Sequence, residues 1–149
     1  MLKYINNQTD RKLDGLKKYL FDHDKDFPIP LSNKVDLEEY IKKINKLGKS
    51  IICLDEENIV GIVFYYDNNI KENKAFISLV SVDKNYRNQG IARKMLNTVF
   101  KQLRKKGIYL CELPTHVLNH KALNLYNSLG FEKQNKVQEN GNILLIKKL

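Results

Sequence analysis

The sequence predicts an α/β domain, with a mixed, twisted sheet of about six to seven strands flanked by about four helices. Three observations predict it. An alternating strand, Ala75 to Asp83, runs through a polar turn containing Gly90 into a helix whose apolar stripes are Ile91, Met95, Val99 and Ala92, Leu96, Leu103. Apolar runs from Ser50 to Asp55 and from Asn58 to Tyr66 flank the turn residues Asp55-Glu56-Glu57-Asn58, the pattern of a hairpin. A further strand, Ile108 to Leu113, follows the helix at Gly107, and a helical connection between two strands makes them parallel neighbours.

Composition bounds the class. At 149 residues, 42% hydrophobic and 29% charged, the chain is expected to form a single domain, residues 1–149, able to bury one core. Apolar runs such as Ile59 to Tyr66 are too short to span a membrane, and no cationic start leads into a signal-peptide core. A cytoplasmic protein without membrane contact is therefore expected. Cys53 and Cys111 lie in predicted strands and read as reduced, buried thiols; no zinc spacing exists and no metal is expected. The net charge of +9 asks for an anionic partner, either a phosphorylated cofactor or a nucleic acid. The lysines are spread along the chain and no nucleic-acid motif accompanies them, so no nucleic acid is expected.

Taken in order, Lys3-Tyr4-Ile5 suits a short edge strand, and a helix is expected from about Thr9 or Asp10, with Leu13, Leu16 and Leu20 as its apolar face and Gly15 weakening it. Phe21 to Ser32 is acidic and then broken by Pro28 and Pro30, which predicts a loop. Its aspartates would favour a cationic acceptor, with Phe21 and Phe27 as pocket walls; the plainer alternative is a solvated loop with Phe27 packed in the core. A second helix starts near Asp36, with Leu37, Tyr40, Ile41 and Ile44 on one side and Gly48 after its end.

The hairpin follows, then a polar turn, Asp67-Asn68-Asn69, which leads through Ile70 to Lys74 into the strand Ala75 to Asp83. Apolar residues on both faces make that strand central. Arg104, Lys105 and Lys106 suit the negative end of the next helix, and Gly107 closes it. After the strand Ile108 to Leu113 come a loop, Pro114 to Leu118, and a helix from Asn119, a good N-cap, to Leu129, ended by Gly130. Phe131 to Val137 and Asn142 to Ile146 form a last hairpin around Asn140-Gly141.

The chemistry sits in two places. Near Gly90 consecutive N–H groups lack helical partners at a positive helix end, where a phosphate fits. The dinucleotide fingerprint and the P-loop are both missing; what stands there is Arg87-x-x-Gly90-x-Ala92, preceded by Val80-x-Val82. In the later helix Asn119, Ala122 and Tyr126 share a face, within Asn119-x-x-Ala122-x-x-x-Tyr126-x-x-x-Gly130-Phe131. The first pattern resembles the coenzyme A signature, R/Q-x-x-G-x-G/A, of the GNAT superfamily of acyl-CoA-dependent N-acyltransferases. The second resembles that superfamily's N-x-x-A-x-x-x-Y-x-x-x-G-F motif, and with the order strand, helix, helix and three strands the resemblance covers most of the chain.

The resemblance implies a GNAT fold whose strands splay at the acetyl-CoA site, with acetyl-CoA as acyl donor. It implies acetyl transfer to a primary amine, expected to be that of a small molecule, by direct attack on the thioester. Val80, Ser81 and Val82 would bind pantetheine, with the Val82 N–H a candidate donor to the carbonyl oxygen. The amides of Arg87, Asn88, Gln89, Gly90, Ile91 and Ala92 would hold the pyrophosphate, and Asn119, Ala122 and Tyr126 would line the thioester. Tyr126 matches the general acid; the alternative is a core tyrosine. No motif settles the general base, for which Glu112 and His116 are candidates, directly or through a water positioned by Ser78 and Ser81. A protein or peptide amine is the alternative acceptor, and a non-catalytic acyl-CoA sensor or a basic nucleic-acid-binding domain are the rival roles. Dimerisation is common in this superfamily, so a homodimer is possible.

Overall fold

A computed structural model describes residues 1–6 and 13–149, and the side chains of 1–6 and 15–149. The elements run β1 (Leu2–Asn6), α1 (Leu13–His23), α2 (Leu37–Leu47), β2 (Lys49–Asp55), β3 (Asn58–Asn69), β4 (Lys74–Val82), α3 (Ile91–Lys105), β5 (Leu110–His116), α4 (His120–Ser128), β6 (Glu132–Val137) and β7 (Asn142–Lys148). Short 3₁₀ turns occupy Asp24–Asp26, Leu31–Asn33 and Lys84–Tyr86. One seven-stranded sheet has the order β1-β2-β3-β4-β5-β7-β6, so β4 is central. Only β4 and β5 pair in parallel among the described strands.

Strand alternation builds a core on each face. In β2, Ile52 and Leu54 turn to one side, where Leu16, Leu20, Ile41 and Ile44 of α1 and α2 cover them. Ile51 and Cys53 turn to the other, against Met95, Leu96 and Val99 of α3. The α3 stripe read from sequence is thus the buried face. Cys53 and Cys111 are both buried and free. No helix among the described residues is long and apolar enough to cross a membrane.

Helix α3 lies close on β3 because Gly61 has no side chain. A Cβ there would come within 3.1 Å of Met95 Cε and 3.2 Å of Ile91 Cγ2. Gly61→Val should therefore force the helix outward and cost about 1–3 kcal/mol, the usual penalty of overpacking. Urea unfolding would check this through a lowered midpoint with an unchanged slope.

Three expectations are corrected. The start of the first helix at Thr9 or Asp10 lies outside the described residues, but its end is clear: α1 continues through Phe21 and Asp22 to His23. His23 stacks on Tyr19 with ring centroids 4.0 Å apart, and its Nε2 reaches Asp83 Oδ2 at 3.2 Å, tying the helix end to the end of β4. The expected turn Asp67-Asn68-Asn69 belongs to β3 instead. Asp67 can be buried there because Lys49 and Lys106 meet its carboxylate at 2.6 and 3.3 Å. Pro114, Thr115 and His116 are strand rather than loop, since β7 pairs with β5 along its whole length to His116–Asn142.

Candidate active site

The central feature is a parting of strands. β4 and β5 pair only at Lys74–Leu110, Ala75–Cys111 and Phe76–Glu112. Two residues later β4 carries a bulge: Tyr65 faces Ile77 and Phe64 faces Leu79, so Ser78 has no opposite number on β3. A bulge bends its strand, and β5 is meanwhile held to β7, so the two diverge. The backbone of β4 beyond the bulge then has a free edge. The Asp83 N–H bonds to the Val60 carbonyl of β3 at 2.8 Å, and alternation turns Val82 and Val80 the opposite way, toward the gap. The Val82 carbonyl there accepts from Arg87 Nε at 3.1 Å.

Between the diverging strands is a cavity of about 210 Å³. Ile77 to Val80 form one wall and Leu113 to His116 another, with Asn119 and Tyr126 entering from α4. Phe27, Pro28, Ile29, Leu31 and Lys34 close the side nearest α1 and α2.

The start of α3 differs from the starts of its neighbours. Asp36 caps α2 by accepting from the Glu39 N–H at 3.1 Å, with Glu38 and Glu39 in the first turn, and Asn119 caps α4 through the Ala122 N–H. At α3 the cap is Gly90, which offers no side-chain acceptor, and no acid stands in the first turn. The first intrahelical bond is from the Lys94 N–H to the Gly90 carbonyl, so the amides of Ile91, Ala92 and Arg93 have no partner in the helix. Gly90 at φ +77 and Asn88 at φ +63 give the preceding loop its left-handed turns. A Cβ on Gly90 would meet no atom within 4 Å, which leaves open space before the amides. This corner fits a phosphate group. Beside it a shallow recess is lined by Gly90, Arg93, Lys94 and Lys101, adding three cations.

Residues 17–131 match the acetyltransferase (GNAT) family. The chain belongs to this family. Among curated relatives, the human N-acetyltransferase 8B is 29% identical over 110 residues, covering 70% of this chain, which in turn spans only 48% of that protein. Spermine/spermidine N(1)-acetyltransferase of Bacillus subtilis is 27% identical over 127 residues, covering 79% of this chain and 80% of the relative. The fold is that of a GNAT acetyltransferase from Staphylococcus aureus Mu50, with a TM-score of 0.80 at 20% identity, over 100% of this chain and 99% of that one. The mixed sheet and four helices expected for the GNAT fold are present, and the family's acyl donor, acetyl-CoA, suits the corner and cleft described above.

Within the GNAT frame, the expected site residues divide. Val80, His116, Asn119 and Tyr126 meet at the cavity, whereas Val82 stands beyond its lining with its carbonyl on Arg87. Ser81 turns its hydroxyl to Tyr19 at 2.9 Å, on the α1 side of the sheet. Arg87, Asn88, Gln89, Gly90, Ile91 and Ala92 form the corner, and Ala122 packs half-buried against the core. Tyr126 is buried edge-on to Phe131 at 5.9 Å between centroids, and burial pushes its phenol well above the ordinary value. Its hydroxyl makes no hydrogen bond to the described residues.

Glu112 is outside the cavity lining, its carboxylate 3.0 Å from Lys74 Nζ. His116 lines the cavity, but its Nδ1 accepts from the Leu118 N–H at 3.1 Å, which places the proton of the neutral ring on Nε2. Ser78 lines the cavity with its hydroxyl bonded to that of Tyr40. The acidic loop does not take the role expected of it. Phe21 is 52% exposed on α1 and walls nothing, although Phe27 does line the cavity. Asp22 pairs with Lys18 at 2.7 Å, and Asp24 accepts from the Ser32 N–H at 2.9 Å and from its hydroxyl. Lys34 and Asn142 were not anticipated in the lining, because nothing in the local pattern places them beside β5, and Pro114 reads locally as loop rather than as part of that strand. Arg93, Lys94 and Lys101 were legible only as polar residues off the helix stripe.

Proposed function

We propose that this chain transfers an acetyl group from acetyl-CoA to the primary amine of a small-molecule acceptor, by direct attack on the thioester, within one domain spanning residues 1–149. The observation that carries the reading is the divergence of β4 from β5. It exposes the backbone edge of Val80, which lines the cavity with Tyr126, and of Val82 beyond it, in the strand that leads toward the uncapped start of α3.

Acetyl-CoA supplies a thioester whose carbonyl carbon accepts the amine nitrogen as the carbon–sulfur bond breaks. The amides of residues 88–92 and the recess cations hold its phosphates, which needs backbone rather than particular side chains in the loop. The Val82 N–H, which strand alternation turns toward the gap, would polarise the thioester carbonyl. Tyr126 keeps its proton because burial disfavours the phenolate, so it stays a donor to the departing sulfur. Glu112 is held by Lys74, so His116, which lines the cavity, is the candidate base; its Nδ1 is free to accept a proton only as its bond from Leu118 N–H yields.

The test is release of free thiol from acetyl-CoA by a panel of amino sugars, polyamines, amino acids and peptides. At least one small amine should stimulate release and emerge N-acetylated. Thermal stabilisation by acetyl-CoA with no stimulation by any amine would leave a sensor instead, and stabilisation by DNA or RNA alone would favour nucleic-acid binding.

A further inference from the structure

From the charges around the cavity, and resting on the function just proposed, we infer its acceptor class: an amine on an apolar body that also carries a carboxylate, as in an apolar α-amino acid, rather than a polyamine. On one side the cavity is closed by Phe27, Pro28, Ile29 and Leu31, with Ile77 and Leu113 in the same lining. These are apolar surfaces. Among the described residues no aspartate or glutamate lines it, and Lys34 is the lining side chain with a fixed charge.

The acids nearby are all engaged elsewhere. Asp22 is on Lys18, Asp24 on Ser32, Asp26 lies 4.0 Å from Arg87, and Glu112 is on Lys74. A polyamine would have to desolvate its remaining ammonium groups against apolar walls, beside a lysine, with no carboxylate to receive them. A carboxylate meets the reverse situation. Lys34 has no ion-pair partner among the described residues and stands exposed at the rim, where its stem can follow an anion across the opening. Asn142 and Asn119 add neutral polar groups to the same wall. The apolar body then lies on Phe27 to Leu31 while the amine points toward the thioester end at Tyr126.

The experiment compares kcat/KM for L-leucine, L-methionine and L-phenylalanine with their carboxamides and with spermidine, in the wild type and in Lys34→Glu. The carboxamides have the more weakly basic amines, so they present more neutral nucleophile and the comparison is set against the inference. The free acids should nonetheless lead their amides by about ten-fold or more, with spermidine poorest, a loss typical of one unpaired charge. Lys34→Glu should collapse or invert the acid-to-amide ratio. Amides equal to or better than acids, spermidine preferred, or a ratio unmoved by Lys34→Glu would each overturn the acceptor class while leaving acetyl transfer standing. Failure of every amine to release thiol would overturn both.

Discussion

Tyr126→Phe is expected to lower kcat by about ten- to a hundred-fold, or 1.4–2.7 kcal/mol, with acetyl-CoA affinity little changed. The expectation rests on three features of one residue. Its ring is 5% exposed and packed edge-on against Phe131, contacts that phenylalanine keeps, so the fold should survive. The hydroxyl satisfies nothing else in the described protein, so removing it orphans no partner. What the proposed mechanism would lose is a proton donor to sulfur, and the loss is moderate because a thiol near pKa 8.5 is already a good leaving group.

The pH dependence separates this role from others. Burial raises the phenol above its usual value near 10, so the neutral donor is present at all lower pH and persists beyond that value. Between about pH 6 and 10 the profiles of wild type and variant should therefore have the same shape, offset by a constant factor. Turnover unchanged by Tyr126→Phe would remove the residue from the mechanism.

The second large effect is expected at the helix start. Gly90→Asp should raise KM for acetyl-CoA by about a hundred-fold, some 2.7 kcal/mol, while the melting temperature moves by only a few degrees. The left-handed backbone at φ +77 costs an aspartate about 1 kcal/mol, less than most residues pay. Its Cβ enters open space, so no clash follows. The new carboxylate stands at the positive end of α3, and its attraction to the unpartnered first-turn amides offsets part of the backbone cost. The same carboxylate stands where the phosphate would, with the wrong charge. Gly90→Ala is the control: it shares the backbone strain but not the charge, and should lose far less affinity. Adding Arg87→Glu should deepen the loss, because Arg87 also holds the Val82 carbonyl. Normal binding of acetyl-CoA by the double variant, measured by calorimetry, would refute this account of the corner.

Much of the architecture was legible in the chain because its signals are local. Periods of two and of 3.6 name the strands and helices, Asp36 and Asn119 announce their helices as caps, and Gly90 marks a corner by lacking one. The two spaced motifs carried the family, since each depends on residues within a single turn or helix. Element ends were less legible. Asp67 enters a strand because two lysines from elsewhere neutralise it, and His116 does so because β7 arrives to pair with it.

What only tertiary structure decided was the fate of the charges. The aspartates between Phe21 and Ser32 read as a lure for a cation, yet Lys18, Ser32 and Arg87 occupy them, and Glu112 is held by Lys74 rather than turned to the cavity. Lys34, unremarkable in its segment, reaches the cavity wall instead. Caps, periodicity and motif spacing are set by covalent proximity, so the sequence alone determined the frame and the uncapped corner at Gly90. Which charge remains available to an acceptor depends in part on pairings between segments far apart in the chain, Asp26 with Arg87 and Lys74 with Glu112, and those exist only when the folded sheet and the α1–α2 connection bring the partners together.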